Sequence, residues 1–573
     1  MKVFNARQSG GWRTRLAVWR ASRGPKAEGF TSAPEPRSIG LVARGRQVVA
    51  GNFLFAGHLV ESPLGIWDIP KPDADFAAEI QGFSWLDDLA ALGDSAARQK
   101  AQIWVQEWIS AYGRGKGEGW TPNLTGRRLI RWIHHALFLM NGAKREETDA
   151  YFASLTSQTR YLARTWPEAA PGLPRFEALT GLVYAGLSLM GMEALVDPAV
   201  AALALEAERE IDSEGGITTR NPEELLEVFT LLNWAALSLS VAGMKVPDAH
   251  LAAIERIAPT LRLLRHFDGG LARFHGGGRG IEGRLDHALA SAGVKPGLAR
   301  GLAMGFLRLS GGRTSRILDA ASPPGGRAGA FAHASTLAIE VTSGRRPLIV
   351  NCGSGAPFGT EWRRAGRATP SHSTLAIDGV SSSRFGADGD EVLQDLAKIL
   401  TVRKMATDNG DGVHAAHDGW ADTHGLSHAR DLAMTSDGRK IMGADTLIAL
   451  NSHGRGRFER VLTATKLKGV PFAVRFHLHP DADATIDMGG TAVSIALKSG
   501  EIWVFRHDGT AKLSLEPSVY LEKGRLRPRA TKQIILSAQA AQIETRIGWT
   551  LSKAQDTPTA IRDLDRDELP VPL

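Results

Sequence analysis

The hydrophobic period of the chain changes once, between residues 270 and 305, and no other feature constrains the fold as much. Before the change, apolar residues recur every three or four positions, the spacing of one helix face. Ala101, Trp104, Val105, Trp108, Ile109 and Tyr112 form one such stripe. Leu129, Ile130, Ile133, Ala136, Leu137 and Met140 form a second, and Leu225, Val228, Phe229, Leu232, Ala236 and Leu239 a third. The third opens on Asn221-Pro222-Glu223, a cap residue followed by a proline in the first turn, where a missing N–H costs nothing. Further helical patterns cover 145–165, 174–192, 197–211 and 248–266, with turns at Pro171-Gly172 and Gly215-Gly216. No fixed period repeats, so the helices are not read as a solenoid. Beyond residue 305 the pattern alternates. Phe472, Val474, Phe476 and Leu478 interleave with Ala473, Arg475, His477 and His479. Val493, Ile495 and Leu497 do the same with Ser494 and Ala496, and Thr336–Val341 and Ile502–Phe505 are two more runs. Short alternating runs separated by Gly and Asp turns build antiparallel sheets. The glycines at 269–270 and 276–278 mark the passage. The expectation is an α+β chain: a helical domain over 1–290, then an antiparallel β-sandwich over 300–573. The tail Leu564–Leu573 is charged and contains prolines, and reads as loosely held.

Composition removes several classes. The 573 residues exceed one ordinary domain, and 43% hydrophobic with 23% charged residues excludes a disordered chain. Cys352 is the only cysteine, which excludes an internal disulfide and a thiolate zinc cluster. The net charge of +7 attracts anions, although ordinary solubility accounts for it equally well. No long basic run is present, so nucleic acid is not expected as a partner. No uninterrupted apolar stretch of ~18 residues occurs, so no membrane span is expected. Arg7, Arg13, Arg15 and Arg20 interrupt the N-terminal segment, and Leu16-Ala17-Val18-Trp19 is too short for a secretory apolar core. The expected location is the cytoplasm, while non-standard export or a misassigned start codon would give the same pattern and leave the periplasm or cell envelope open. Gly276-Gly277-Gly278 lacks the Gly-Lys-Ser/Thr ending of a phosphate loop, and no G-x-S-x-G elbow appears, so no nucleotide cofactor is expected. Ten of the fourteen tryptophans precede residue 300. An indole face can stack on a sugar ring, but core packing is the commoner use. Trp120 and Trp132, flanked by polar and basic residues, are the better sugar-stacking candidates.

Three short segments in the β half carry more specific information: Ala332-His333-Ala334-Ser335-Thr336-Leu337, the strand Arg346–Gly353 and Ser371-His372-Ser373-Thr374-Leu375-Ala376-Ile377-Asp378-Gly379. In the helical half stand WTPNLTGRRLIRW (120–132) and GGITTRNPEE (215–224). Together they resemble the heparinase II/III-like proteins over nearly the whole chain. The resemblance implies a helical toroid followed by a β-sandwich. It implies β-elimination on a uronic-acid polysaccharide or oligosaccharide, with a Tyr and a His sharing the acid and base work and an Asn neutralising the carboxylate. Some proteins of that family also hold zinc in the sandwich through two His and an Asp, so the resemblance leaves a zinc site open here.

Position by position the match is incomplete. The family's second sandwich His falls on His333 and its later His on His372, but the first His falls on Phe331 and two Asp positions fall on Ser335 and Asn351. In the helical half the Glu, Tyr and His fall on Thr219, Glu224 and Leu225, and the Asn falls on Arg131. Phe331 and Leu225 cannot move a proton. Glu224 can act as a base, but repels an anionic substrate. Arg131 can pair with a carboxylate bidentately, and Arg127, Arg128 and Arg220 suit the same ligand; a solvated helix face explains these arginines as readily. The candidate catalytic residues are Glu224, His372 and His428, the last within His424-Gly425-Leu426-Ser427-His428-Ala429-Arg430. The candidate substrate-binding residues are Arg127, Arg131, Trp132 and Arg220. The candidate zinc ligands are His333, Asn351 and His372; the neutral Asn351 amide makes any site weak, and a metal-free structural His pair fits equally. His477 and His479, on one strand face, read as hydrogen-bonded histidines. Three functions follow: a weak lyase for acidic glycans, a non-catalytic glycan-binding or scaffold protein on the lyase fold, and, third, a metal-dependent hydrolase built on His333 and His372.

Overall fold

Helices occupy the first half of the chain, from Trp12–Ala21 to Arg284–Ser291, and the sandwich strands begin at Phe306–Gly311. The computed structural model describes residues 11–63, 65–299, 301–386, 391–554 and 563. The tail 564–573 lies outside these residues.

Each helix forms by burying one stripe. Pro222–Val241 buries Leu225, Val228, Phe229, Leu232 and Leu239. The Asn221 side chain accepts from the N–H groups of Glu223 and Glu224 at 3.0 and 3.3 Å, which closes the first turn. By length and composition this helix could cross a membrane, yet 56% of its apolar window is buried inside the protein. Pro122–His134 and Leu173–Ser188 pack closely: a Cβ added at Gly181 would stand 2.5 Å from the Gly126 Cα. The helical core is aromatic. Trp67, Phe83, Trp85, Trp104, Trp108, Trp120 and Trp132 are buried together, with adjacent ring centroids 4.8–6.2 Å apart. This corrects the sugar-stacking expectation. Trp120 and Trp132 are 1% and 0% exposed, and Trp132 lies flat on Tyr151 at 5.5 Å, so neither offers a face to a ligand.

Two eight-stranded antiparallel sheets form the second half. One runs from Ile399–Thr407 at one edge to Ala482–Asp487 at the other; the second runs from Lys512–Tyr520 to Phe306–Gly311. Phe476 packs on Trp549 at 4.7 Å and on Phe505 at 5.0 Å between them. The alternation read from the sequence is the division between this interior and the outer faces.

The strand Thr314–Asp319 joins the halves and is buried on both faces. Leu318 belongs to the sandwich core and Ile317 to the helical core. Side chains alternate along a strand, so Thr314, Arg316 and Leu318 face the sandwich, and Ser315, Ile317 and Asp319 face the toroid. Ser315 Oγ meets His266 Nδ1 at 2.9 Å. Arg220 is the main clasp. Its Nη2 donates to Asp319 at 2.5 Å, and the same guanidinium reaches the carbonyls of Met304, Gly305 and Ser322 at 3.0, 3.2 and 2.8 Å. Arg220 holds φ at +51°, an uncommon conformation for a side-chain-bearing residue. Gly305 must be glycine here: its φ is +76°, and a Cβ would come within 2.8 Å of the guanidinium. The expectation of Arg220 as a ligand-binding residue is therefore corrected. It is 9% exposed, with its donors spent on the join.

Candidate functional site

A cleft of about 1620 Å³ opens between the toroid and the sandwich. Its lining includes Arg127, Arg131, Glu177, Glu223, Glu224, Glu227 and Trp234 from the helices, and Arg345, Arg346, Tyr520 and Lys523 from the sheets. The structure therefore brings Arg127, Arg131 and Glu224 to one cavity. It does not bring Trp132, Arg220, His333, Asn351, His372 or His428 to the cleft wall.

Four cations of the cleft, Arg127, Arg131, Arg284 and Lys523, are engaged by its own acids. Arg127 pairs with Glu79 at 2.9 Å and approaches Glu177 at 3.7 Å. Arg131 pairs with Asp87 at 3.0 Å, and Asp87 also receives His135 at 2.9 Å and Ser38 at 2.7 Å. Arg284 meets Glu227 at 2.5 Å, and Lys523 meets Glu223 at 2.6 Å. Among the lining residues, eleven Arg and Lys face eleven Asp and Glu, so the cavity is close to formal charge balance. Burial pushes the Glu79 carboxyl up, but Arg127 and Ser84 outweigh it and hold it at about 2. Burial wins at Glu177, which rises to about 7 despite Arg127. Burial also raises Glu224, the residue at the family's Tyr position.

Sequence reasoning missed Tyr520 and Trp234. Tyr520 lines the cleft, its hydroxyl bonded to Arg273 and its ring 5.1 Å from His479. Burial pushes this phenol up to about 12. Trp234 is half-buried and is the one cleft-lining indole among the described residues. No local motif marks either residue; only the fold brings them to the cavity.

His333 and His372 do meet, away from the cleft. His372 Nδ1 donates to the Ala368 carbonyl at 2.9 Å, which leaves its Nε2 as the acceptor for His333 Nδ1 at 3.1 Å. The backbone N–H of His333 donates to His275 Nδ1 at 3.2 Å, which turns the other nitrogen of His275 towards Asp319, 3.5 Å away. Burial lowers all three imidazoles, so the chain of rings is neutral. The Asn351 oxygen accepts from the Ser373 N–H at 2.9 Å. Two imidazoles and an engaged amide, with no anionic donor, do not fit zinc. Among the described residues no group of three or more His, Cys, Asp or Glu is placed to hold a metal. His428 lies between the sheets, bonded to Asp445 at 2.8 Å and His417 at 3.3 Å, and is fully buried. His477 is likewise taken by Ser518 at 2.8 Å and the Pro370 carbonyl at 2.9 Å.

The sequence model described as "Heparinase II/III-like, C-terminal" matches residues 293–550. FtsZ-localized protein C of Caulobacter vibrioides (strain NA1000 / CB15N) is 30% identical over 553 residues, covering 93% of this chain and 91% of that protein. The chain belongs to the heparinase II/III-like family. Crystal structures place this heparinase II/III-like chain on the same fold. Heparinase III superposes with a TM-score of 0.68 at 12% identity, covering 94% of this chain and 89% of that one. A mutant of heparan sulfate lyase HepC from Pedobacter heparinus gives 0.59 at 14% identity, covering 96% and 88%. At such identities the likeness concerns the fold, a helical toroid followed by an antiparallel sandwich.

Proposed function

We propose that this heparinase II/III-like protein is a non-catalytic member whose cleft binds without cleaving, and that its body serves as a scaffold associated with FtsZ. The observation that carries the first part is the charge balance of the cleft. β-Elimination on a uronate needs a free cation for the carboxylate and a positioned base for the α-proton. Here Arg127 and Arg131 are committed to Glu79 and Asp87, and the family's Tyr and first sandwich His are replaced by Glu224 and Phe331. The second part is supported by the near full-length relative, which is named for its localization with FtsZ. This reading puts the protein in the cytoplasm. The ligand it gives the cleft is an oligosaccharide, held by hydrogen bonds from the fixed charges and by the face of Trp234. Affinity then depends little on salt, because the cavity is balanced.

A panel of uronate polymers, followed by the absorbance of the unsaturated product, tests the first part, and co-sedimentation with FtsZ polymers tests the second. The expected results are no product and recovery in the pellet. Product formation would overturn the first part. A second reading, an active lyase, is favoured by Tyr520, which lines the cleft beside Arg273. If product forms and is lost in Tyr520→Phe while folding is retained, Tyr520 is the acid or base and the second reading holds.

A further inference from the structure

Arg316 stands between the two sheets without a counter-charge. It is 1% exposed, and both of its Nη atoms lack a hydrogen-bond partner among the described residues. The charge acting on it is that of Arg430, of the same sign. Arg430 is itself largely engaged, with four of its five N–H groups donating: to Asp445 at 2.6 and 3.2 Å and to the carbonyls of Leu337 and Ser373 at 2.7 and 2.9 Å. His428 and the Trp549 indole take the remaining capacity of Asp445, at 2.8 and 2.9 Å. His417 and His428 are neutral, because burial lowers both. Among the described residues, the sandwich interior around Arg316 therefore holds two guanidinium groups against the one Asp445 carboxylate. A buried charge with no partner is among the costliest features a core can contain. Neutralisation of Arg316 does not resolve it at pH 7, since burial and Arg430 lower its pKa only to about 9.

We propose that Arg316, backed by Arg430, binds a small monovalent inorganic anion of the chloride class between the sheets. The site is closed. Arg316 does not line the cleft, and its cross-strand neighbours are Leu309 and Val341. Water would satisfy the N–H groups and leave the charge uncompensated. The anion would complete a network that, through Arg430, holds the carbonyls of Leu337 and Ser373, next to the segments that carry His333 and His372.

Two measurements test the site on the full chain. Crystals soaked in sodium bromide are expected to show an anomalous peak within bonding distance of the Arg316 Nη atoms; a peak with no anomalous signal, a water, overturns the proposal. Thermal unfolding in sodium chloride against sodium gluconate at equal ionic strength is expected to show a saturable rise of roughly 2 °C in the unmodified protein. Arg316→Met removes the charge, so it is expected to fold and to lose the chloride-specific rise. An equal rise in the variant, or none in the unmodified protein, overturns the proposal, and the bromide experiment stands whether or not the variant folds.

Discussion

Asp87 is the residue that most changes the meaning of its neighbours. It sits 44 positions from Arg131 in sequence and takes that guanidinium at 3.0 Å. Nothing local in the sequence shows the pairing, so the arginines were legible as a cationic face and not as members of a balanced cavity. The same holds for Tyr520 and Arg273, 247 positions apart. The His333–His372 contact was legible, because both residues lie in recognisable short motifs; its use, an imidazole pair without an anionic ligand, depends on Asn351. Elemental analysis of the purified protein is therefore expected to find well under one zinc per chain, and tight stoichiometric zinc would contradict this. Asp88, beside Asp87, gives a pH prediction. Burial raises its carboxyl from the usual 3.8 to about 6, while the Leu41 N–H donates to it at 2.8 Å. The folded state favours the protonated form, so its stabilising contribution is complete below pH 3.8 and is lost as pH rises through 6. Asp88→Asn keeps the acceptor for Leu41 and removes the charge. It is expected to raise the unfolding free energy by about 1–2 kcal/mol at pH 8 and to change little at pH 4, measured by urea titration. Equal effects at both values would refute the assignment.

Among the elements, the long helices and core strands were legible because each buries one regular stripe, as Pro222–Val241 and Val470–Leu478 show. The helices inside the β half were not. Thr360–Arg367 reads TEWRRAGR, with too little apolar character to mark a face. Ser452–Ala464 is started by Asn451, whose side chain accepts from the Gly454 N–H at 2.8 Å, but its two internal glycines hide the pattern. The strand Thr314–Asp319 was hidden for another reason. Buried on both faces, it shows no alternation of apolar and polar residues. Its attachment to the toroid through Arg220 gives a prediction. Arg220→Ala leaves Asp319 buried beside His275 and Ser335 with no cation, a change that typically costs about 3–5 kcal/mol. Limited proteolysis is expected to cut the variant faster than the unmodified protein at 269–280 or 321–329, on either side of the join. Unchanged cutting there, or new principal cuts within 335–351, would show that Arg220 does not carry the join.

At the scale of the whole molecule, the surplus of seven positive charges lies outside the balanced cleft. Retention on a heparin resin is expected, with elution by moderate salt, because a net cation binds a polyanion through its general surface. The elution position is expected to be the same for the unmodified protein and Arg131→Gln; a marked shift would place the polyanion in the cleft. The join between the halves also fixes an order of events during synthesis. Arg220 is made 99 residues before Asp319, and Arg273 is made 67 residues before Glu340, which it meets at 3.3 Å. At about 5–20 residues per second, the first of these intervals lasts roughly 5–20 s. Through those seconds the emerging toroid carries bare guanidinium groups on the surface that will become the join. The carboxylates that cover them are still being translated. The helical half thus waits, by order of synthesis, for carboxylates that only the second half can supply.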